Sequence, residues 1–283
     1  MPKFDTPKPI SLTLELGLGD ARIIASDRTD TIVEVRPRDV SRDADVKAAE
    51  QTRIEYANGN LLIKTLKPRN PFGRGSTVDV TVELPTGSHL QGELAMGDMR
   101  SEGELGTCLI KTGMGNVGLA RTGELHAVSG YGDIAVNHAA GDVDVSTGSG
   151  AVRLGDIDGM AAIKNANGET TVGDVTGEVR IKASNGDIFV AGAHSSVTAR
   201  TANGNIRVAQ VRSGAIVIET AAGEIEIGIR EGTAAWLDVS SHYGRVRNSL
   251  EPSDGPESSD ETVEVRARTS YGDIVIRRAT AQG

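Results

Sequence analysis

Residues 163–208 read IKNANGETTVGDVTGEVRIKASNGDIFVAGAHSSVTARTANGNIRV, and one pattern occurs in them three times. Each copy has small or turn-forming residues, then a glycine, a polar residue and alternating aliphatic residues. Along the chain the pattern returns every 17 to 19 residues at Gly97, Gly115, Gly132, Gly150, Gly168, Gly186, Gly204 and Gly223, with looser copies at Gly244 and Gly272. A short, fixed period is the signature of a repeat architecture.

Alignment on the glycines separates positions that stay apolar from positions that vary. Aliphatic residues recur seven and five positions before the glycine, and two and four positions after it. Around Gly186 these residues are Val179, Ile181, Ile188 and Val190. Alternation with a period of two on both sides predicts two half-buried strands in each coil. A further inward position, seven residues after the glycine, predicts a third bend in the coil.

The corner between the two strands has its own pattern. Asn-Gly pairs such as Asn185-Gly186 tolerate positive φ, so the glycine is expected to serve the backbone shape. Hydroxyl residues recur three positions before the glycine, and we expect them to bond to the turn backbone or to one another rather than to a substrate. They are Thr112, Ser129, Thr147, Thr201, Thr220, Ser241 and Thr269. The residue after the glycine varies among acidic, neutral and basic types, which indicates a structural ladder rather than an acidic site.

The two ends of the chain depart from the repeat. Residues 1–88 are predicted to form a β-rich N-terminal cap with one short helix within 39–53, because the first coil of a solenoid needs its edges covered. Residues 89–283 are predicted to form the solenoid. The acidic, Pro/Ser-rich segment 250–261 is expected to be a flexible loop. The stretch 262–278, TVEVRARTSYGDIVIRR, is expected to be the last coil, with no cap after it.

The predicted fold is therefore all-β. It is a right-handed β-solenoid (β-helix) of about ten coils with a period near 18 residues, preceded by the β-rich cap.

Composition excludes several classes of function. The net charge of −9 and the pI of about 5.1 argue against nucleic-acid binding, which needs a clustered basic field. The single cysteine, Cys108, is expected to be a core residue and gives no sign of an oxidising compartment. No stretch resembles a secretory signal or a membrane span, so direct membrane insertion is not expected. The protein is predicted to be cytoplasmic, with association with the cell envelope as the alternative.

No constellation of residues indicates catalysis. The five histidines share no ligand spacing, with one another or with the cysteine. They are His89, His126, His138, His194 and His242. We therefore predict no catalytic, cofactor-binding or metal-binding residue, and no cofactor.

One exposed row is chemically distinctive. Basic residues stand four positions before the glycine on three consecutive copies, at Lys164, Lys182 and Arg200, with Arg180 nearby. Such a row on an acidic protein is a candidate site for a polyanion, for instance an acidic glycan, or for a protein partner. Pairing with neighbouring acids is the structural alternative. Three tyrosines directly before corner glycines are candidates for carbohydrate contacts or for turn packing: Tyr131, Tyr243 and Tyr271.

The passage VELPTGSHLQGELAMGDMRSEG, residues 82–103, together with the coils that follow it, resembles the bacterial putative-adhesin β-strand-repeat family, whose function is unknown. The resemblance extends from about residue 10 to residue 278. Its most specific part is Leu84-Pro85 leading into Gly97-Asp98. The resemblance implies a β-helical domain, often linked with the cell envelope, and supplies no catalytic residues.

Two functional hypotheses follow. The first is a non-enzymatic, adhesin-like scaffold or interaction protein that binds a protein partner or assembles with itself through its ends, because bare strand edges are templates for pairing. The second is a glycan-binding or glycan-active β-helix protein that uses the basic row.

Overall fold

In the computed structural model the chain forms two compact units, Met1–Ala140 and Gly141–Gly283. The structure describes residues 1–65, 75–250 and 261–279. Apart from Leu250 and Glu261, the loop predicted at 250–261 lies outside the described residues. The handedness of the solenoid and the domain boundary after residue 88 stay predictions.

The repeating coil is clearest in the second unit. Each coil consists of a strand that runs up to the corner glycine, which we call the leading strand, and a trailing strand that follows it. Gly186, for example, lies between a leading strand at Val179–Asn185 and a trailing strand at Ile188–Ala193. Equivalent strands of successive coils pair in parallel, so that leading strands form one sheet and trailing strands form another. The predicted all-β solenoid with two half-buried strands per coil is confirmed.

The second unit contains fourteen described strands, in seven coils. The leading strands are β14 (Val143–Ser149), β16 (Ala161–Asn167), β18 (Val179–Asn185), β20 (Val197–Asn203), β22 (Gly214–Ala222), β24 (Ala234–Tyr243) and β26 (Thr262–Tyr271). The trailing strands are β15 (Val152–Ile157), β17 (Thr170–Val175), β19 (Ile188–Ala193), β21 (Ile206–Val211), β23 (Ile225–Ile229), β25 (Val246–Asn248) and β27 (Ile274–Arg278).

Stacked aliphatic side chains fill the space between the two sheets. Ile181 of β18 and Ile188 of β19 are almost completely buried, and so are their counterparts in the neighbouring coils. Each such side chain contributes about 1.5–3 kcal/mol when it is fully buried. Because β18 pairs in register with both β16 and β20, like residues lie on top of one another along the stack. The core is therefore a set of ladders, as the apolar positions predicted.

The predicted third bend is not a separate element. The third inward residue, such as Ile157, Val175 or Ala193, is the last residue of the trailing strand. In β15 the buried positions Leu154 and Ile157 are three residues apart instead of two. The alternation skips one residue there, which turns the final side chain inward without creating a third strand.

The first unit contains the same kind of coil together with additional strands and one helix. The additional elements are β1 (Lys3–Asp5), β4 (Asp30–Pro37), α1 (Asp43–Glu50), β5 (Arg53–Ala57), β6 (Asn60–Lys64) and β7 (Val78–Pro85). The coils are β2 (Ser11–Leu18) with β3 (Ala21–Ser26), β8 (His89–Met96) with β9 (Met99–Glu102), β10 (Cys108–Met114) with β11 (Val117–Thr122), and β12 (Leu125–Tyr131) with β13 (Ile134–Ala139). The helix predicted within 39–53 is present as α1.

The prediction that residues 1–88 depart from the repeat is wrong for the segment 11–26. Strands β2 and β3 flank Gly19, whose φ of +138° is that of the other corners, and they pair in parallel with β8 and β9. Strands β6 and β7 pair in parallel with the other edges of β2 and β3. Among the described strands, antiparallel pairing is limited to β1 with β4, β4 with β7 and β5 with β6. The long interval from Gly19 to Gly97 hid this coil, because the chain leaves and returns in between.

The order of the last coils also differs from the prediction. Strand β26 pairs with β22 on one side and with β24 on the other, and β27 lies in the same way between β23 and β25. The coil 262–278 is thus inserted, and the terminal coil is formed by residues 234–248. Arg278 Nη1 holds this arrangement by donating to the carbonyl oxygens of Arg230 and Thr233, at 3.0 and 2.9 Å.

Candidate functional site

The four predicted basic residues lie together on the outer face of the leading sheet in the second unit. Lys164 on β16 is directly opposite Lys182 on β18, which is directly opposite Arg200 on β20. Arg180 precedes Lys182 by two residues on the same face of β18. Neighbouring strands lie about 4.8 Å apart, so the three stacked cations form a short continuous row.

Two of these four cations are neutralised locally. The Arg180 guanidinium donates to both carboxylate oxygens of Glu178, at 2.8 and 2.7 Å. Arg200 Nε lies 3.2 Å from Glu219 Oε2. Lys164 and Lys182 form no ion pair within the described residues. The row is therefore reduced to two adjacent free ammonium groups, and the predicted pairing with acids applies to the two arginines.

The terminal coil is the most unusual surface of the second unit. Leu237 and Val239 of β24 lie opposite Val265 and Ala267 of β26 and face the core side, but they are only half-buried, whereas those partners are fully buried. Val246 of β25 is 43% exposed. These side chains are accessible because no described coil lies beyond them.

Strand β24 also presents a long free edge. It has ten residues and pairs only with β26 among the described residues. Trp236, on its outer face, is 59% exposed. The strand has one charged residue, Asp238, which accepts a hydrogen bond from Arg268 Nη2 at 2.9 Å. It therefore lacks the short length, proline or lysine residues with which proteins usually protect an exposed strand edge.

The corner positions differ between the two units. In the first unit the residues before the corner glycines are large and exposed at Met96, Met114 and Tyr131. In the second unit the same position carries a ladder of amides, in which Asn185 Nδ2 donates to Asn167 Oδ1 and Asn203 Nδ2 donates to Asn185 Oδ1, each at 2.9 Å. Ala222 interrupts the ladder after Asn203, and the next two coils carry an aromatic pair at this position, Tyr243 stacked on Tyr271 with ring centroids 4.9 Å apart. Two of the three tyrosines therefore pack against each other at the corner, and both rings stay exposed.

The corner hydrogen bonds explain most of the polar pattern. Thr220 Oγ1 donates to the carbonyl oxygen of Gly204 at 3.0 Å, and Thr269 Oγ1 donates to that of Gly223 at 3.1 Å, so that hydroxyls tie one corner to the next. Thr112, Ser129 and Thr147 have no hydrogen-bond partner among the described residues, so the expectation fails at those positions.

The residue after the glycine makes a second ladder. Asp187 Oδ1 accepts the backbone N–H of Asn205, and Asn205 Oδ1 accepts that of Glu224, each at 2.8 Å. These side chains are therefore engaged in structure, as the mixed charge of the position predicted.

A shallow groove of about 590 Å³ crosses the leading sheet of the first unit. Its floor is formed by small residues two positions before the corner glycines, and its polar side by charged residues. The small residues are Gly17, Ala95 and Gly113, and the charged ones are Glu15, Lys64, Glu93 and Lys111. Lys64 and Glu15 form an ion pair at 2.5 Å. The same offset also carries small residues in the second unit, for example Gly148, Ala166 and Ala202, so this pattern alone does not mark the groove.

The thiol of Cys108 is fully buried. Burial raises the pKa of the Cys108 thiol to about 11. Within the described ranges, no three His, Cys, Asp or Glu side chains converge as a metal ion would require. None of the helical residues that the structure describes belongs to a segment long and apolar enough to cross a membrane.

The sequence matches a family model over residues 11–279, and the model is that of Toastrack DUF4097. The chain belongs to the Toastrack DUF4097 family. The match covers both the N-terminal coil around Gly19 and the inserted coil 262–278. The family is one of repeat proteins of unknown function.

Several solved structures are similar to this Toastrack chain. One is described as a putative cell adhesion protein from Clostridium sporogenes, with 13% identity, 98% of each chain covered and a TM-score of 0.23. Another is a putative adhesin from Parabacteroides merdae, with 10% identity, 97% of this chain and 94% of that chain covered, and a TM-score of 0.41. A third is a putative lipid binding protein from Parabacteroides distasonis, with 12% identity, coverage of 99% and 96%, and a TM-score of 0.30. Such distant similarity carries no argument about a ligand. The comparison with curated proteins found no match.

Proposed function

We propose that the protein is a non-enzymatic β-solenoid scaffold that binds a protein partner and associates with a second copy of itself through the terminal coil 234–248. One observation carries this proposal. Strand β24 leaves ten residues of strand edge and one side of the apolar core uncovered by any described residue. Unpaired strand edges are templates for pairing with another chain.

The burial of equivalent side chains supports the proposal. Val265 and Ile274 of the inserted coil are completely buried, but their counterparts Leu237 and Val246 in the terminal coil are accessible. The types of residue are the same, so the difference comes from position alone. A partner that continued the stack would remove this apolar surface from water, which is the main favourable contribution in most protein associations.

Sedimentation velocity over a wide range of protein concentration tests the proposal. We expect reversible association that is lost in Leu237→Lys, because the substitution places a charge at the uncovered end of the core. The matched control is Leu109→Lys, which changes an exposed leucine on β10 in the first unit and is expected to associate normally. A wild-type protein that stays monomeric at every concentration would overturn the proposal.

A second candidate function is recognition of an acidic glycan by the row Lys164, Lys182 and Arg200. The observation that favours it is the pair of free ammonium groups on adjacent strands. Like charges directly opposite one another destabilise a sheet, and a bound anion would relieve that repulsion.

Binding to a panel of uronate-containing and sulfated polysaccharides tests this candidate. We expect binding that weakens as salt is added and is lost in Lys182→Glu. The control is Lys111→Glu, at an exposed lysine of the first unit. Absence of binding to every acidic polysaccharide, or equal binding by the two variants, would exclude the candidate.

A further inference from the structure

The strand edge of the terminal coil has a definite hydrogen-bonding pattern. The N–H of Ala234 donates to the carbonyl oxygen of Glu261 at 2.9 Å. Because backbone groups alternate in direction along a strand, the N–H and C=O groups of Ala235, Leu237, Val239 and Ser241 point away from β26. Leu237 and Val239 also direct their side chains to the core side. The free edge therefore offers both backbone hydrogen bonds and apolar contacts to whatever strand pairs with it.

The other sheet edges that the structure describes, which are β1, β5 and the three-residue β25, do not match this strand. In the first unit, β5 has five residues and carries the Arg53–Glu55 ion pair at 2.5 Å. Strand β1 has three residues, with Lys3 paired to Asp30 at 2.8 Å. Short length and charge protect these edges from further pairing. The strand whose length and composition fit β24 is therefore β24 of a second copy.

Pairing of β24 with its own copy produces a closed assembly. Two identical strands related by a two-fold axis run antiparallel, and the same axis brings β25 next to β25 of the second copy. Such an isologous contact uses the same surface on both subunits, so it ends at a dimer and does not propagate. It would place the Leu237 and Val239 side chains of both copies in one continuous core.

The register of the pair follows from faces and charges. Leu237 and Val239 stay on the core side in both copies only in certain registers. Each residue of one β24 must lie opposite the same residue of the second copy, or opposite a residue an even number of positions away from it. Two registers of this kind use nearly the whole strand, one centred on Asp238 and one on Val239. The first sets two Asp238 carboxylates directly opposite each other, which is destabilising. The second sets Asp238 opposite Ser240 and Trp236 opposite His242.

We propose that two copies of this chain join through antiparallel pairing of β24, with Val239 on the two-fold axis, to form a closed dimer. This inference rests on the proposed self-association through the terminal coil and adds its geometry. It predicts that association stops at the dimer and that Val239 of each copy lies close to its counterpart.

A proline substitution tests the role of the edge. Val239→Pro removes an N–H that bonds to nothing within the described monomer, so the fold is expected to survive as judged by circular dichroism and thermal melting. The dimer dissociation constant is expected to rise at least about tenfold. Val239→Ala keeps the N–H and is the control, with a smaller rise expected. If the proline variant folds and dimerises as well as the alanine variant, edge pairing is excluded; if the proline variant does not fold, the crosslinking experiment decides.

Disulfide crosslinking tests the register in a Cys108→Ala background. Residues that exchange both backbone hydrogen bonds have Cα atoms about 5.5 Å apart, a separation that suits a disulfide. We expect mild oxidation to link Val239→Cys into a dimer, and to link Asp238→Cys much more slowly. The reverse order would overturn the register.

The same measurements separate the two levels of the proposal. Wild-type protein that forms open-ended species larger than a dimer, with Leu237→Lys still blocking association, would overturn the closed dimer and leave self-association through the terminal coil intact. Wild-type protein that remains monomeric would overturn both.

Discussion

The carbonyl oxygen of Gly168 lies closer than 3.0 Å to the position that a Cβ atom on Gly186 would occupy. The φ of Gly186 is +136°, in the region that side chains rarely adopt. The corner glycine is thus required twice, once for the backbone conformation and once for the close stacking of successive corners.

Gly186→Ala is therefore expected to lower the free energy of unfolding by more than about 3 kcal/mol, because backbone strain adds to a steric clash. Gly232→Ala is the matched control. Gly232 has a φ of +82°, but no atom lies within 4 Å of its Cβ position, so only the strain of about 1 kcal/mol applies. Chemical denaturation measures both variants, and equal losses would contradict the role of corner stacking.

Two neighbouring residues of β10 provide a test of the inward and outward faces. Ile110 is 2% exposed and Leu109 is 47% exposed. Ile110→Asp is expected to lower the stability by about 4 kcal/mol or more, because it buries a carboxylate in an aliphatic ladder. Leu109→Asp is expected to cost about 1 kcal/mol or less. Thermal melting of the two variants checks the assignment, which a similar loss in both would refute.

The ladder that follows the corner glycines predicts a difference between two substitutions at one position. Asp187→Ala removes the acceptor of the Asn205 N–H and is expected to cost about 1–2 kcal/mol. Asp187→Asn keeps an oxygen in place, as Asn205 itself does for Glu224, and is expected to stay within about 0.5 kcal/mol of wild type. Denaturant titration distinguishes them. The ladder would have no energetic role if the alanine variant were as stable as the asparagine variant.

Because the thiol of Cys108 is buried, we expect the folded state to lose stability at alkaline pH. Burial raises the pKa of its thiol to about 11, from 9.0 for an ordinary thiol. As the pH rises from about 9 towards 11, the thiol ionises in the unfolded chain but not in the folded one, so the folded state loses stability, by about 2–3 kcal/mol at the upper end. Cys108→Ala should lose less over the same range. Parallel curves for the two proteins would contradict the prediction.

Much of the coil could be predicted from the sequence because its causes are local or repeat in every copy. Period-two alternation predicted the burial of Ile181 and Ile188. The position of hydroxyl residues just before a turn predicted the hydrogen bonds that Thr220 and Thr269 donate to the turn backbone. The pairing of Arg180 with Glu178 joins residues two apart on one strand. The free state of Lys164 and Lys182 could not be predicted, because it depends on which side chains the neighbouring strands place beside them.

The order of the last coils was not predicted, although the sequence carries signals of it. The copies around Gly244 and Gly272 share aliphatic residues before the glycine and two positions after it. Four positions after it the first copy has the polar Asn248, which lies exposed opposite the buried Ile276 of the second copy. This polar residue at an inward position is one local signal of the order, and a second is the interval from Gly223 to Gly244, which is 21 residues instead of 17 to 19. The additional residues let the chain bridge one extra strand spacing of about 4.8 Å, because β26 lies between β22 and β24.

The repeating sequence by itself determined the coil: its glycine corners, its two strands and its aliphatic ladders, because each depends on residues close together in the chain. Only the tertiary structure decided which coil is the terminal one, and with it where the free edge and the accessible part of the core lie. The physical reason is that similar aliphatic ladders can stack in more than one order with comparable apolar contacts. The choice is then made by contacts between distant residues, such as Arg278 with Arg230 and Thr233.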